Sequence, residues 1–146
     1  MEYFDVNDQE IKSRLIAEND LAFCFPSKMP IVPGHTLICP KRHDVSKIDE
    51  LTDNELHAIL FLQKKLKHAM IKSFGAEGFN YAWNEGKVAG QNVKQFHLHM
   101  LPRKKSDLSV FEYDPRKFLY RPGERSESPE KELSQVAELI KNNLEI

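Results

Sequence analysis

Two histidines separated by one residue, His97 and His99, have the clearest capacity for chemistry in this sequence. They lie in a stretch where polar positions alternate with Phe96, Leu98 and Met100. Such alternation is typical of a β-strand with one buried face, and it places both imidazoles on the opposite face. Two adjacent imidazoles can act as a nucleophile with a neighbouring proton donor, or as two metal ligands.

A glycine-containing loop precedes this strand. Gly90, followed by Gln91 and Asn92, favours a tight turn whose backbone N–H groups and side-chain amides point at an anion. From these residues alone, an ordinary solvated strand face stays open as an alternative, because short motifs produce many false positives.

Several further motifs surround the histidine strand. They are Gly90-Gln91-Asn92-Val93 ahead of Gln95-x-His97-x-His99-x-Leu101, Asn84-Glu85-Gly86 upstream, and Pro33-Gly34-His35 with Pro40-Lys41-x-His43 nearer the start. Over residues 20–104 the chain resembles the histidine triad superfamily of nucleotide hydrolases and transferases, with Gln95 in place of the first histidine. The ending Leu101-Pro102-Arg103 is similar to the fragile histidine triad branch, which acts on diadenosine polyphosphates.

The resemblance implies a catalytic role for the polar residues of the strand. His97 would attack the α-phosphorus of a nucleotide and form a nucleotidyl-imidazole that water hydrolyses, which suits an imidazole that is neutral near pH 7. His99 would donate to a phosphate oxygen as charge builds. Gln95 would take a supporting position near the leaving group, and because glutamine cannot change charge, acid assistance would be weaker.

The resemblance also implies a set of substrate-binding residues, with adenine as the expected base. Neutral donors to the phosphate would come from Asn84, Gln91 and Asn92, and the nucleoside would lie against Phe25 and Leu37. Ser27 stands where relatives carry an Asp or Asn for the ribose hydroxyls, and His35 opens the neighbouring strand. Taken singly, Phe25, Leu37 and His35 also fit a plain core or structural role.

Two alternative functions remain open at this point. The protein could be a nucleotide-binding module or sensor with weak turnover, because Gln95 replaces a histidine. It could also be a metal-dependent hydrolase in which His97 and His99 are ligands together with His35 or His43. The hydrolase reading requires no resident cofactor, although a divalent metal can accompany the nucleotide.

Length and composition favour one domain over residues 1–146, with a core at about 1–104 and an extended arm and final helix over 105–146. With 21 basic and 22 acidic residues, no surface for nucleic acid is implied. We expect no membrane span, and the first residues lack the pattern of a signal peptide. Cys24 and Cys39 are expected to be buried thiols in the cytoplasm.

The periodicity predicts an α+β fold. Helices are expected over residues 8–18, from the Thr52/Glu55 capping box to Gly75, and after Ser128-Pro129, with strands over 21–25, 35–39 and 78–84 and at the histidines. The helices would lie on one side of the sheet, and the middle helix would be the longest. The resemblance makes the sheet antiparallel and five-stranded.

Two further expectations concern surfaces. The arm over residues 103–125 holds seven basic and four acidic residues, a net +3, and would meet the distal phosphates or the leaving group. The resemblance implies a homodimer paired through the long helix, where Phe61 and Leu62 widen the apolar stripe. An edge segment packed by its own aromatic residues is the alternative for the arm.

Overall fold

The computed structural model describes residues 3–105, 107 and 127–144. Its helices are α1 (Gln9–Ser13), α2 (Asp53–Phe74) and α3 (Glu130–Asn142), with short 3-10 helices at Ile48–Glu50 and Lys87–Ala89. Its strands are β1 (Ala17–Glu18), β2 (Ala22–Pro26), β3 (Thr36–Pro40), β4 (Gly78–Ala82) and β5 (Leu98–Arg103). The proposed arm falls almost entirely outside the described residues.

The five strands form one antiparallel sheet in the order β1-β2-β3-β5-β4. This confirms the predicted α+β class. The register pairs Phe25 with Leu37 and Leu37 with His99, so these three side chains lie in one row across the sheet. The turn between β4 and β5 joins them as the antiparallel pair that the sequence predicts.

The long helix α2 has the boundaries that its end residues dictate. Thr52 accepts from the backbone of Glu55 while the Glu55 side chain accepts from the backbone of Thr52, which closes a capping box. Gly75 ends the helix in the left-handed conformation at φ 65°, where glycine is favoured. Leu66 and Met70 are fully buried against the sheet.

Two hydrophobic clusters lie on opposite faces of the sheet. The larger includes Cys24 and Met100 and packs against α2 and α3, whereas the smaller joins Phe25 and Leu37 to Ile11 of α1. The prediction of helices on one side is therefore correct for α2 and α3 and wrong for α1. A short amphipathic helix can cover whichever face has exposed apolar residues, and the sequence pattern does not specify the face.

The first helix is also shorter than predicted. It ends at Ser13, and the backbone N–H of Ile16 then donates to the carbonyl of Cys24 at 2.9 Å, which leads into β1. β4 likewise ends at Ala82 instead of residue 84. Both cysteines are buried free thiols, as predicted, and they face different clusters; burial raises the pKa of Cys24 to about 12.

The C-terminal helix closes the larger cluster. α3 begins directly after Pro129, and Leu133, Ala137 and Ile140 are buried as the sequence predicts. Arg14, itself buried, forms an ion pair with Glu130 that links α3 to the segment after α1. Within the described ranges, no helix is both long enough and apolar enough to cross a membrane.

Candidate functional site

The two histidines lie where the strand pattern places them. His99 belongs to β5, and His97 comes one residue before the strand begins. Leu98 and Met100 are buried in the larger cluster, so both imidazoles project from the other face of the sheet. Their ring centroids lie 5.0 Å apart at an interplanar angle of 60°. A single reacting group can therefore contact both rings.

One hydrogen bond fixes the tautomer of His97. Its Nδ1 lies 2.8 Å from the backbone carbonyl oxygen of Gln95. A carbonyl oxygen can only accept, so Nδ1 carries the hydrogen, and Nε2 of the neutral ring carries the lone pair. Burial lowers the pKa of His97 below its ordinary value, while the bond to the Gln95 carbonyl acts in the opposite direction. His97 is therefore suited to act as a nucleophile near neutral pH.

A second chain of hydrogen bonds fixes the tautomer of His99. The backbone N–H of Ile31 donates to Nδ1 of His35 at 3.0 Å, so a neutral His35 carries its hydrogen on Nε2. That Nε2 lies 2.9 Å from Nδ1 of His99, which must then accept. The remaining nitrogen of His99, Nε2, carries a hydrogen. His99 can therefore donate a hydrogen bond from Nε2 beside the lone pair of His97, an arrangement compatible with the roles that the resemblance implies.

His35 supports this pair from inside the protein. It is only 1% exposed, so in this structure it reaches the site through His99 and not through solvent. The predicted contact of His35 with substrate stays a prediction. The structure adds the contact with His99, which the sequence does not reveal. Both nitrogens of His35 are bonded, Nδ1 to Ile31 and Nε2 to His99, so neither is open to the metal that the metal-ligand hypothesis would place beside it.

The metal-ligand hypothesis gains no support from the other proposed histidine. His43 stacks on Tyr3, with ring centroids 3.9 Å apart, instead of joining the other imidazoles. In the described part of the chain, no three or more His, Cys, Asp or Glu side chains are grouped so that they could hold a metal ion. The described residues thus give the metal-ligand hypothesis no set of three ligands, and it stays a prediction.

An aromatic residue near the N-terminus packs against His97. The ring of Phe4 meets His97 edge-on, with centroids 5.5 Å apart, and also contacts Phe25 at 5.0 Å. Phe4 is not predictable from the sequence as part of the site, because its segment has no period and lies more than ninety residues away from His97 along the chain. Phe4 is one reason why the His97 ring is desolvated.

We expect Phe4→Ala to raise the pKa of His97 toward its ordinary value, because water would reach the ring. Folding favours neutral His97, so the unfolded chain binds more protons and stability falls as pH drops from about 6.5 to the lowered folded value. That dependence should weaken in the variant. An NMR titration of His97 tests this, with Tyr3→Ala as the matched control. Identical titration of His97 in Phe4→Ala and wild type would contradict the argument.

Two residues expected to line the base are core side chains in this structure. Phe25 is fully buried and Leu37 is 5% exposed, both beneath α1 and the N-terminal segment. They do lie on the histidine face, in the row that contains His99. Their contact with a base stays a prediction.

Ser27 takes part in the loop before β3. Its N–H donates to the carbonyl of His35 at 2.8 Å, and its hydroxyl accepts from the N–H of Met29 at 3.3 Å. The side chain is nearly buried, so the hydroxyl is directed to its own loop. Its predicted role toward a ribose is not tested by these contacts.

The loop between β4 and β5 is braced by side chains that the sequence predicts as phosphate donors. Gln91 accepts from the N–H of Gly86 at 2.8 Å and donates to the carbonyls of Ser46 and Lys94 at 3.1 and 2.9 Å. Both amide hydrogens of Gln91 therefore bind the backbone in this structure, and its phosphate contact stays a prediction. The amide of Asn84 lies 3.4 Å from the carbonyl of Gly90.

Asn92 and Gln95 differ in exposure to solvent. Asn92 is exposed, and its predicted phosphate contact stays a prediction. Gln95 is fully buried, whereas the alternating pattern predicts an exposed polar position next to the histidines. The reason is that the N-terminal segment, through Phe4, covers this end of the strand.

Comparison with known proteins identifies relatives with named activities. A bis(5'-adenosyl)-triphosphatase of Dictyostelium discoideum is 30% identical over 138 residues, covering 90% of this chain and 89% of that protein. An adenosine 5'-monophosphoramidase of Schizosaccharomyces pombe is 36% identical over 88 residues, covering 60% of this chain and 62% of that one.

Solved structures show the same fold. The crystal structure of a HIT-like protein from Bartonella henselae matches with a TM-score of 0.71 at 23% identity, covering 97% of this chain and 99% of that chain. The family model for the HIT domain matches residues 8–106, which span every strand of the sheet and both histidines. The chain therefore belongs to the HIT domain family.

Proposed function

We propose that this protein is a nucleotide hydrolase or nucleotidyl transferase that acts at the α-phosphate of adenine nucleotides. The observation that carries the proposal is the tautomer of His97, whose Nδ1–H is bound by the Gln95 carbonyl so that the lone pair lies on Nε2. A half-buried neutral imidazole with one nitrogen already bound is arranged for nucleophilic attack.

The first step would form a bond from Nε2 of His97 to the α-phosphorus while the bond to the leaving group breaks. The bonding electrons depart with the leaving group, and the ring becomes a positively charged nucleotidyl-imidazole. The Gln95 carbonyl, 2.8 Å from Nδ1, stabilises this charge. Nε2–H of His99 would donate to the phosphate or to the departing atom.

The second step would return the enzyme to its starting state. Water attacks the same phosphorus and passes a proton to Nε2 of His99 where that nitrogen has given its hydrogen to the leaving group, and otherwise to solvent; the electrons of the phosphorus–nitrogen bond return to Nε2 of His97. The products are a nucleoside monophosphate and a neutral imidazole. None of these steps requires a resident cofactor, although a divalent cation can accompany the phosphates of the substrate.

The names of the two relatives supply the substrate classes to test. One is named for cleaving a diadenosine triphosphate and the other for cleaving an adenosine phosphoramidate. A panel of diadenosine polyphosphates and adenosine phosphoramidates should therefore yield AMP with at least one class. The absence of AMP from every member of the panel would refute the proposal.

A catalytically weak nucleotide-binding module is the second candidate, favoured by Gln95, which cannot donate a proton as an imidazolium can. Pre-steady-state measurements separate the two functions. A stoichiometric burst of product followed by very slow release indicates a sensor, whereas sustained turnover indicates a hydrolase.

We also propose that the protein is a homodimer. β4 is an edge strand of the sheet, and Tyr81 on it and Phe61 on α2 are 41% and 53% exposed. Leu62, which the sequence assigns to the same surface, is instead buried in the core of its own chain.

We expect sedimentation at micromolar concentration to give a particle of twice the 17.0 kDa chain mass. Phe61→Asp should shift this particle toward the monomer because it places a charge within the proposed apolar interface. Glu132→Asp on α3 is a control with an exposed position. A 17 kDa particle for the wild type would refute dimerisation.

A further inference from the structure

The side chain of Gln95 connects two parts of the chain that no strand pairing joins. Its Oε1 accepts from the backbone N–H of Phe4 at 2.7 Å, and its Nε2 donates to the carbonyl of Pro40 at 2.5 Å. Phe4 belongs to the N-terminal segment and Pro40 is the last residue of β3. Gln95 is fully buried, so water does not compete for either bond.

The backbone of the same residue holds the nucleophile. Its carbonyl accepts from Nδ1 of His97 at 2.8 Å, and this bond selects the reactive tautomer. Residues 95 and 96 precede β5, so the strand ladder does not fix them. They are held by the Gln95 amide and by the bond from the N–H of Phe96 to the carbonyl of Val45 at 2.6 Å.

The Phe4 bond also determines how the nucleophile is covered. The N-terminal segment is attached to Gln95 at the same residue whose ring lies edge-on against His97. If the hydrogen bond between Gln95 Oε1 and the Phe4 N–H were lost, the N-terminal segment would no longer be held to the residue that orients His97. One glutamine thus controls both the hydrogen-bond partner of His97 and its exposure to water.

We propose that Gln95 is a positioning residue: its side-chain amide fastens the N-terminal segment and the end of β3 to the residue whose carbonyl orients His97. This inference rests on the nucleophilic role proposed for His97. It gives Gln95 a role that differs from a supporting contact with the leaving group, since both ends of the amide bind backbone groups.

The chemistry of the two partners explains why an amide suits this position. Phe4 offers a donor and Pro40 offers an acceptor, and an amide matches both with separate atoms at every pH. A carboxylate cannot donate to the carbonyl. A histidine can make both bonds only while neutral, because an imidazolium has no acceptor. Glutamine therefore keeps the connection intact in acidic solution.

The test reads the tautomer and titration of His97 by ¹⁵N NMR in protein without substrate, so its failure is separate from a failure of nucleotidyl transfer. In Gln95→Met, which keeps the length of the side chain, we expect a mixture of His97 tautomers and a higher pKa of His97. The value of kcat should fall by about tenfold or more, with a smaller change in KM. Gln63→Met, the same substitution on the α2 side of the sheet, should change neither property of His97.

A pair of variants at Phe4 tests the same bond without altering Gln95, and both variants lose the same packing of the ring on Phe25. Phe4→Ala and Phe4→Pro both remove the ring, but only proline also removes the N–H that Gln95 accepts. We expect a larger fraction of the second His97 tautomer in Phe4→Pro than in Phe4→Ala. An unchanged tautomer in Gln95→Met would overturn the proposal, and so would identical His97 spectra for the two Phe4 variants.

Discussion

His97→Ala is expected to lower kcat by about 10⁴-fold or more, because it removes the atom that forms the covalent bond to phosphorus. The residual rate would come from binding and from the donors that remain, His99 among them. The measurement is steady-state release of AMP from the best substrate of the panel. His97 is half-buried and makes one side-chain hydrogen bond, so the variant should fold.

The covalent intermediate gives this prediction a direct test. Rapid quenching of the wild type with substrate labelled at the α-phosphate should trap a phosphohistidine adduct that is labile in acid and stable in base. The adduct should be absent from His97→Ala and present in His57→Ala, which replaces an exposed histidine on α2. A wild type without an adduct, or His97→Ala with full activity, would exclude the mechanism.

The order of the elements and the face of each histidine were predictable because they depend on local periodicity. The alternation through Leu98 and Met100 and the capping box at Thr52 are short-range signals, and the structure confirms both. Short-range signals specify where an element lies and which side is apolar. They do not specify what packs on the polar side.

For that reason the residues that hold the two histidines in place were not predictable from the sequence. His35 and His99 are 64 positions apart, and Phe4 and Gln95 are 91 apart, so each pair is created by tertiary packing. Side-chain amides add a further ambiguity. Gln91 has donors that can bind a phosphate or the backbone of its own loop, and only the folded geometry shows that they bind the loop.

If Gln95 positions His97, the residue that donates a proton to the leaving group must be His99. A residue whose amide is bonded at both ends to backbone groups is not arranged to follow a departing group. His99 lies beside His97, and its Nε2–H results from the bond with His35. The acid function of the proposed mechanism therefore depends on the partner that sets the tautomer of His99.

His35→Leu is expected to lower kcat by about a hundredfold for substrates with poor leaving groups and to change it little for polyphosphates. Without the donor from His35, Nδ1 of His99 can carry the hydrogen, and Nε2 then faces the substrate as an acceptor. An amine must gain a proton as its bond to phosphorus breaks, whereas a polyphosphate departs as a stable anion. Proton donation by His99 should therefore matter only for the amine.

His35→Gln separates this effect from damage to the fold, because His35 is buried and its loss also leaves the N–H of Ile31 unbonded, at a cost of about 1–3 kcal/mol. A glutamine can accept from Ile31 and donate to His99, so it should restore both stability and the rate with phosphoramidates. The values of kcat for wild type, His35→Leu and His35→Gln across a series of leaving groups distinguish a tautomer effect from damage to the fold. An equal decrease in kcat of His35→Leu for every leaving group would show that His35 acts through folding alone. Only an effect on the His99 tautomer depends on whether the departing group needs a proton.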